Sequence, residues 1–522
     1  MFWSPSQPSP PGGGSQRFKP RSLCRPSLPC PAALPLPASP ASPSNPHPPR
    51  VAVVGGGISG LAAAQRLRKL IPHVDVQLLE ASDRLGGALH TLPHDDSLLE
   101  QGADSFLIKT PFALDLCREL GLADELIPTN EQHRRALVVR DGKLVPVPDG
   151  FVLMKPQNLR AMLRSPLFSL AGKLRLATEP LRGVPAKVNQ PGYDESVASF
   201  ATRRLGREVY ERLVEPLIAG VYVADAHKLS LAATYPEFLD AERLHGSLWR
   251  SVRKGQALAA SDANKPPQAA ARYGQFVTLR GGLRVLVDAL VRTLPAKGIR
   301  LQTPVTQVER HPTQRWTIKT AAGAPLEHFD GVVIAAHAPQ AAPLLKSVDA
   351  ELASELAAIE YASSAVVTLV YHRQDIDHPL DGFGVVVPAI ERRPIVAASF
   401  LSVKFPNHCP PGRAVVRVFS GGALQPDRVD QSDAELIATA KQQVQDLIGA
   451  GGEPIETHVM RWRDAMPQYH VGHVARVESI ERRTAAHAGL ELAGNAYRGV
   501  GIPQSIHSGR QAAERLAKQL GH

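Results

Sequence analysis

The sequence contains few cysteines, no fixed internal repeat and no long uncharged apolar run. Its four cysteines form no CxxC pair, which excludes a disulfide miniprotein and argues against a zinc knuckle. The longest apolar run, 331–345, is interrupted by His337, Pro339 and Pro343. It therefore falls short of the roughly 18–20 residues that a membrane-spanning helix needs. These absences exclude a repeat array and a transmembrane protein.

The first fifty residues contain no Asp or Glu, and they hold 15 of the 46 prolines, nine serines and five Lys or Arg residues. Such a segment cannot bury enough apolar surface to offset the entropy of ordering it, so we predict a disordered tail over 1–50. Its basic, serine-rich and acid-free character is typical of organelle transit peptides, whereas its proline content and weak helical amphipathicity are not. A dispensable extension and a misplaced start codon are the alternatives.

Charge argues against a nucleic-acid partner. The formal net charge is +10, and the tail supplies half of it. The excess that remains over the folded part is too small to indicate a nucleic-acid surface. The remaining length predicts two or three domains.

A strand, a glycine-rich loop, a helix and a second strand follow one another from residue 51. Residues 51–54 predict a strand, and 55–60 form a GxGxxG loop. Residues 61–70 predict a helix, and 74–79 predict a strand that ends at Glu80. An acidic residue about twenty positions after the last glycine completes the dinucleotide-binding pattern.

Each residue of this pattern has a physical task. Gly55 permits the tight turn, and Gly57 lets a pyrophosphate approach backbone N–H groups at the positive end of the helix. Gly60 allows the helix and the strand to pack closely, and the Glu80 carboxylate accepts hydrogen bonds from ribose hydroxyls.

The residues after Glu80 distinguish FAD from NAD. Asp83-Arg-Leu-Gly-Gly87 extends the motif to E-x-x-x-R-x-G-G, which resembles the extended fingerprint of the FAD-binding amine-oxidase-like flavoproteins. The segments 100–106 and 329–336 resemble the next cofactor-contacting loop and the strand that returns to the same sheet. The cofactor predicted by this resemblance is FAD.

Further segments narrow the resemblance to the porphyrinogen oxidases of haem biosynthesis. They are 215–225, 228–238, 273–283, 378–388, 461–473 and 499–503. The resemblance extends over about Val51 to Leu520, and the last two segments are most similar to the bacterial branch that oxidises coproporphyrinogen III.

The resemblance implies an α/β (α+β) fold with three parts. A discontinuous Rossmann-type FAD-binding domain would take 51–135, 271–345 and 455–522. A mixed-sheet substrate domain would take 136–149 and 346–454. A helical, membrane-facing domain would take 150–270.

The activity implied is an FAD- and oxygen-dependent six-electron oxidation of coproporphyrinogen III to coproporphyrin III, with release of hydrogen peroxide. The enzyme would be an oxidoreductase acting on CH–CH donors. Protoporphyrinogen IX is the alternative substrate. A different amine-oxidase-like flavoenzyme and a non-catalytic flavin or porphyrin carrier are remoter alternatives. No catalytic side chain is predicted, because the flavin carries the redox chemistry.

The cofactor-binding residues come partly from the glycine motif and partly from the resemblance. The resemblance also places the start of a helix over 504–520 at the flavin, where its N–H groups would stabilise negative charge. The full predicted set is Gly55, Gly56, Gly57, Ile58, Ser59, Gly60, Glu80, Ala81, Arg84, Gly87, Gly102, Ala103, Asp104, Ser105, Val305, Trp462, Val500, Gly501 and Ile502.

Substrate contacts are also implied by the resemblance. Phe419 and Val386 match residues on opposite sides of the macrocycle, and Gly220 matches a backbone segment beside the reacting centre. Eukaryotic members place a propionate-binding Arg where this chain has Ala136. Either Arg135 takes that role after a one-residue shift, or the carboxylates pair elsewhere.

No metal site is predicted. His470 and His473 form an H-x-x-H pair without a third ligand of suitable spacing, and we interpret them as structural or cofactor-shell residues. The basic, apolar stretch 150–182 indicates either a peripheral membrane contact or the lining of the substrate cleft. A cytoplasmic location, hand-over of product to ferrochelatase and a homodimer are further expectations; a plastid location is the alternative if the tail is a transit peptide.

Overall fold

The structure is a computed structural model, and it describes residues 47–260, 276–311, 313, 315–321 and 326–522. The predicted disorder of the tail concerns residues that lie almost wholly outside this part. The strands in chain order are β1 Arg50–Val54, β2 Asp75–Leu79, β3 Thr91–His94, β4 Ser97–Glu100, β5 Phe106–Leu107, β6 Leu126–Pro128, β7 Leu137–Arg140, β8 Lys143–Pro146, β9 Phe151–Val152, β10 Lys155–Pro156, β11 Phe276–Leu279, β12 Ile299–Arg300, β13 Val305–Arg310, β14 Trp316–Thr320, β15 Leu326–Phe329, β16 Gly331–Ile334, β17 Tyr361–His372, β18 Gly384–Val386, β19 Ala397–Phe400, β20 Arg413–Gly421, β21 Glu456–Pro467 and β22 Leu490–Leu492.

Helices connect and cover these strands. In chain order they are α1 Ile58–Leu70, α2 Phe112–Glu119, α3 Leu159–Arg164, α4 Leu170–Ala177, α5 Val197–Leu205, α6 Arg207–Val209, α7 Glu215–Tyr222, α8 Leu231–Thr234, α9 Pro236–His245, α10 Leu248–Ala260, α11 Arg284–Arg292, α12 Ala338–Leu345, α13 Ala350–Ala357, α14 Leu401–Lys404, α15 Asp433–Ile448, α16 His473–Ala485 and α17 Ile502–Gln519. A π-helical turn, Tyr210–Val214, directly precedes α7.

A five-stranded parallel sheet has the order β12-β2-β1-β16-β22. Alternate residues of β1 pack on opposite faces: Val51 and Val53 join the core formed with α1, α11 and α17, whereas Ala52 and Val54 join the core around Trp316. Both faces are covered, which explains why β1 is apolar throughout. Ligands of such sheets bind beyond the carboxyl ends of the strands, where β1 runs into the glycine loop.

A seven-stranded mixed sheet has the order β21-β17-β20-β19-β18-β7-β8, and only the β18–β7 pair is parallel within it. One face packs on the buried side of α15, whose first turn is held by a Ser432–Glu435 capping box. On the opposite face, cross-strand register aligns a row of four side chains: Val386, Ala397, Phe419 and Val366. This row forms a continuous apolar surface.

The helices from α3 to α10 enclose a separate apolar core and a buried ion cluster. Arg204 and Glu179 are both fully buried and form an ion pair. Glu179 also accepts a hydrogen bond from the Ser247 hydroxyl at 2.6 Å and one from the Leu248 N–H at 3.1 Å. A buried charge pair needs such additional hydrogen bonds to offset its desolvation. The cluster therefore fixes the start of α10 relative to α5.

The predicted α/β fold is confirmed by these sheets, including the Rossmann-type arrangement around β1. The domain limits stay a prediction, and two placements differ from them. Strand β21 pairs with β17 in the seven-stranded sheet, and α13 packs in the core beside the parallel sheet. In the described part of the chain, no helix combines the length and the apolar character needed to cross a membrane.

Candidate active site

The loop between β1 and α1 leaves open space beside Gly57, at the start of α1. Gly55 has φ +107°, and a Cβ there would lie 2.7 Å from the Ala335 carbonyl oxygen. A Cβ on Gly60 would overlap the Gly55 carbonyl oxygen, so both positions require glycine. No heavy atom lies within 4 Å of the Cβ position of Gly57, the residue before α1. The positive end of α1 is therefore accessible to a phosphate.

Glu80 lies directly after β2 and faces this loop. Its carboxylate accepts hydrogen bonds from the Gly56 N–H at 2.6 Å and from the Ser82 N–H and hydroxyl at 2.8 Å each. These bonds hold the carboxylate next to the glycine loop, where a bound ribose would donate to it. The predicted adjacency of loop and acid is thus present in the structure.

Replacing Glu80 with alanine should weaken FAD binding by about 1–3 kcal/mol, because buried polar partners lose their acceptor. Flavin fluorescence during titration of the apoprotein measures this change. Asp83→Ala is a matched control, since it removes an exposed carboxylate three residues away. Equal affinities in Glu80→Ala and wild type would show that the ribose contact is misassigned.

A second glycine pair packs against the first loop. The Gly86 N–H donates to the Gly56 carbonyl oxygen at 2.9 Å, and the Arg84 guanidinium donates to the Gly87 carbonyl oxygen at 2.8 Å. The E-x-x-x-R-x-G-G extension therefore closes one side of the loop. Ala81 is exposed beside it.

The segment after β4 joins the parallel sheet to the mixed sheet. The Trp462 indole N–H donates to the Gln101 carbonyl oxygen at 3.0 Å, and the Ala103 N–H donates to the Ala88 carbonyl oxygen at 3.2 Å. Arg417 of β20, which is 1% exposed, donates to the Gly102 carbonyl oxygen. These bonds fix the segment against β21 and β20.

Asp104 anchors the same segment through ion pairs with two cationic side chains. Burial alone would raise the pKa of its carboxyl, but Lys404 and Arg417 hold the pKa at about 2. The Lys404 ammonium lies 2.6 Å from one carboxylate oxygen, and Arg417 lies 3.2 Å from the other. Ser105 donates to Asp104 at 2.6 Å. The structure thus places Asp104 and Ser105 in an ion cluster rather than on the cavity lining.

A cavity of about 380 Å³ lies between the two sheets and α7. That volume is typical of a small-molecule site. Eleven of the predicted residues line it: Gly57, Ile58, Ser59, Gly87, Gly102, Ala103, Gly220, Phe419, Trp462, Val500 and Ile502. The remaining predicted residues lie outside its lining: Gly55, Gly56, Gly60, Glu80, Ala81, Arg84, Asp104, Ser105, Val305, Gly501, Arg135 and Val386.

The wall opposite the glycine loop is apolar. Phe419 and Val366 line the cavity and lie in the row of four side chains that continues through Ala397 to Val386. A Cβ on Gly220 would lie 3.6 Å from a Val386 methyl group, so α7 approaches this row closely. Gly220 and Phe419 therefore line the cavity, and Val386 lies next to Gly220 outside its lining.

The carboxyl-terminal helix begins at the cavity. Val500 and Ile502 line it, Gly501 precedes the first turn of α17, and Pro503 occupies the first turn. The helix starts at Ile502, two residues earlier than the sequence predicted. Pro503 fits in the first turn because the N–H that proline lacks would be unpaired there in any case. The positive end of α17 faces the space between the glycine loop and the apolar wall.

Burial controls the ionisation of Glu100, the residue at the end of β4. Glu100 is fully buried, which raises its pKa to about 7 although it accepts hydrogen bonds from the Leu283 N–H at 2.8 Å and the Thr91 hydroxyl at 2.9 Å. The folded state keeps this proton at pH values where the unfolded chain has lost it. Folding stability therefore falls as pH rises from about 4.5 to about 7.

Glu100→Gln should abolish this loss, because an amide cannot ionise. We expect the free energy of unfolding of the variant, relative to that of wild type, to be about 1–3 kcal/mol higher at pH 8 than at pH 5. Urea unfolding at both pH values measures it, with the exposed Glu237→Gln as the control. A stability difference that is equal at pH 5 and pH 8 would contradict the assignment.

Comparisons with known proteins agree with this geometry. The model of the flavin containing amine oxidoreductase family matches residues 58–517. The chain belongs to this family. The coproporphyrinogen III oxidase of Bacillus subtilis (strain 168) is 33% identical over 473 residues, covering 88% of this chain and 96% of that protein. That of Staphylococcus aureus (strain NCTC 8325 / PS 47) is 30% identical over 472 residues, covering 90% and 99%.

A solved structure is also similar over the whole length. The crystal structure of a proposed protoporphyrinogen oxidase from Exiguobacterium sp. 255-15 matches this chain with a TM-score of 0.79 and 32% sequence identity. The match covers 91% of this chain and 99% of that chain. As a member of the flavin containing amine oxidoreductase family, the protein is an FAD-dependent oxidoreductase.

The residues present fit the FAD of this family. Gly57 and the start of α1 suit its pyrophosphate, and Glu80 suits a ribose. His337 lines the cavity, and its buried Nδ1 has no hydrogen-bond partner among the described residues. Burial lowers the pKa of His337 and so favours its neutral form, which suits a hydrogen bond to a polar group of the cofactor.

Sequence reasoning did not single out fourteen further lining residues, although some of them lie inside the segments that carry the resemblance. They are Ala88, Leu89, Val221, Val223, Ala335, Ala336, His337, Ser364, Val366, Ala465, Met466, Gly494, Asn495 and Ser505. Ala335, Ala336 and Gly494 follow β16 and β22, so their position at the carboxyl ends of parallel strands was the available signal.

Arg135 does not reach the cavity. It forms an ion pair with the Asp381 carboxylate, and its Nε donates to the Asp381 carbonyl oxygen at 2.6 Å. Arg134 pairs with Glu131 at 2.8 Å. The geometry therefore favours the second alternative, in which the substrate carboxylates pair elsewhere.

The two histidines of the H-x-x-H pair have separate surroundings. His473 is buried, stacks on Tyr469 with ring centroids 4.0 Å apart, and has its pKa lowered to about 4 by burial. His470 lies 3.6 Å from Glu360. This arrangement agrees with a structural role.

Proposed function

We propose that the protein oxidises coproporphyrinogen III to coproporphyrin III in haem biosynthesis, with O₂ as the electron acceptor and hydrogen peroxide as the second product. The observation that carries the proposal is the full-length likeness to coproporphyrinogen III oxidases. The apolar wall opposite the glycine loop supports it, because the macrocycle of a porphyrinogen is large and mostly apolar.

The side chains of the cavity bind and orient the reactants, and His337 is the titratable side chain among the described lining residues. Among the described residues that line the cavity there is no Asp, Glu, Lys or Arg. Gly57, the start of α1 and Glu80 would hold FAD, which would supply the two-electron redox chemistry that is needed three times for each porphyrin. Phe419 and Val366 supply apolar contact on one side, and Gly220 leaves room for the ring on another.

A direct rate comparison tests the substrate. The FAD-loaded protein receives coproporphyrinogen III or protoporphyrinogen IX in air without nicotinamide, and porphyrin fluorescence is followed. We expect faster conversion of coproporphyrinogen III, with about three peroxides per porphyrin. A higher kcat/KM for protoporphyrinogen IX would select the alternative substrate. No anaerobic reduction of the bound flavin by either compound would refute both.

We further propose a peripheral membrane contact through α4 and the turn after it. Leu170, Leu174 and Leu181 are 85%, 68% and 82% exposed, and they lie near the basic residues Lys173 and Arg182. Exposed leucines beside lysine and arginine suit an anionic lipid surface. Much of the predicted stretch has another role, because Phe151, Met154, Leu167 and Phe168 belong to the helical core.

Co-sedimentation with vesicles tests this contact. Leu170→Ser/Leu174→Ser should bind less to vesicles containing phosphatidylglycerol, whereas Ile390→Ser, on a different exposed surface, should bind like wild type. Equal binding of all three would contradict the contact. Hand-over to ferrochelatase and a homodimer stay predictions.

A further inference from the structure

A cluster of two histidines and a carboxylate lies outside the cavity. His94 ends β3, and Glu456 and His458 are the first and third residues of β21. The register pairs Glu456 with Val370 and His458 with Thr368, without interruption between them. Alternate residues of a strand point to the same face, so both side chains of β21 face the β3–β4 hairpin.

The three side chains already have the spacing of metal ligands. Nε2 of His94 lies 3.1 Å from one Glu456 oxygen, and Nε2 of His458 contacts the other. All three ligand atoms lie within 4.8 Å of one another. A tetrahedral zinc ion with bonds of about 2.0–2.1 Å separates its ligand atoms by about 3.3 Å. Small rotations of the side chains therefore suffice for coordination.

We propose that His94, Glu456 and His458 bind a divalent transition-metal ion of the zinc class. Two imidazoles and one carboxylate suit Zn²⁺, whereas Ca²⁺ and Mg²⁺ prefer oxygen ligands. Asp95 lies 3.9 Å from Nε2 of His94 but outside the three-residue group, so water would complete the coordination. The sequence alone does not indicate this site, because His94 lies more than 360 positions before Glu456 and His458 and the three form no motif.

A metal ion bound to this cluster would connect the β3–β4 hairpin to β21. Trp462 is six residues after Glu456 on the same face of β21, which is a distance of about 20 Å. Its indole N–H bonds to Gln101, the residue after the hairpin. The hairpin and β21 are therefore joined beside the cavity by Trp462 and, at the far end, by His94 and Glu456. A bound metal would clamp the far end.

Calorimetric titration of the FAD-loaded protein with ZnCl₂ tests the site, after removal of any affinity tag and dialysis against EDTA. We expect one zinc ion per chain, an association constant at least tenfold lower in His94→Ala and in His458→Ala, and little heat with MgCl₂. His245→Ala, in the last turn of α9, is the matched control and should bind zinc like wild type. Circular dichroism and FAD content verify that each variant is folded.

A second measurement does not depend on heats of binding. Zinc that binds the folded state raises Tm in a concentration-dependent manner. The rise should occur in wild type and His245→Ala, and it should be lost in His458→Ala. The proposal is overturned if wild type binds no stoichiometric zinc, if both alanine variants of the cluster bind it like wild type, or if Mg²⁺ binds equally well.

Discussion

Replacing Arg417 with methionine should destabilise the protein by about 3–5 kcal/mol, the usual cost of removing one partner from a buried charge pair. Arg417 is 1% exposed and lies 3.2 Å from Asp104. Its loss leaves the Asp104 carboxylate, whose pKa is held at about 2, with Lys404 as its remaining cationic partner. The methionine side chain has similar length, so the effect reports charge and hydrogen bonding more than volume.

FAD retention should fall in the same variant. Arg417 donates to the Gly102 carbonyl oxygen, and its guanidinium carbon lies 5.1 Å from the centre of the Phe419 ring. It therefore holds a cavity-lining loop and a cavity-lining side chain at once. Without it, the segment from Gln101 to Asp104 loses its anchor on β20. FAD content after gel filtration, together with urea unfolding, measures both effects.

Arg413→Met is the matched control for this prediction. Arg413 lies on the same strand and pairs with Asp95 at 3.5 Å, but this pair is less buried, with side chains 28% and 61% exposed. An exposed pair contributes about 0–1 kcal/mol. Arg417→Lys tests the geometry, because it keeps the charge and loses the fork. A loss in Arg417→Met no larger than in Arg413→Met would contradict the anchoring role.

The nucleotide-binding loop was predictable because its parts are close in sequence. Gly55, Gly57, Gly60 and Glu80 lie within about thirty residues, and Gly55 and Gly60 occupy positions that require glycine. Their chemistry is dictated by backbone geometry at one strand end. Local sequence therefore suffices for that half of the site.

The other half depends on contacts between distant segments. Asp104 meets Lys404 and Arg417 only after β20 and α14 have packed beside β4, and no local pattern announces this. Asp104 could be placed near the cofactor loop by resemblance, but its charge partners could not. For Arg135 the prediction from residue type was misleading. An arginine side chain suits a propionate, but in the fold Arg135 pairs with Asp381.

Phe419→Ala should lower kcat/KM for the porphyrinogen by roughly 30- to 900-fold, corresponding to about 2–4 kcal/mol for a large aromatic contact. Phe419 lines the cavity, is only partly buried by the protein, and is aligned with Val366 and Ala397 in one apolar row. Its exposed face is therefore available to a large ring.

The loss should appear in kcat/KM while FAD content stays normal, because Phe419 lies on the wall opposite the glycine loop. Phe419→Leu keeps an apolar side chain and should lose less, which separates ring contact from bulk apolarity. Steady-state rates with coproporphyrinogen III, corrected for bound FAD, provide the measurement. If Phe419→Ala keeps wild-type kcat/KM, the apolar row does not bind the macrocycle. If the variant instead loses FAD, Phe419 supports cofactor binding. The lower kcat/KM would then result from the missing FAD and not from a lost contact with the macrocycle.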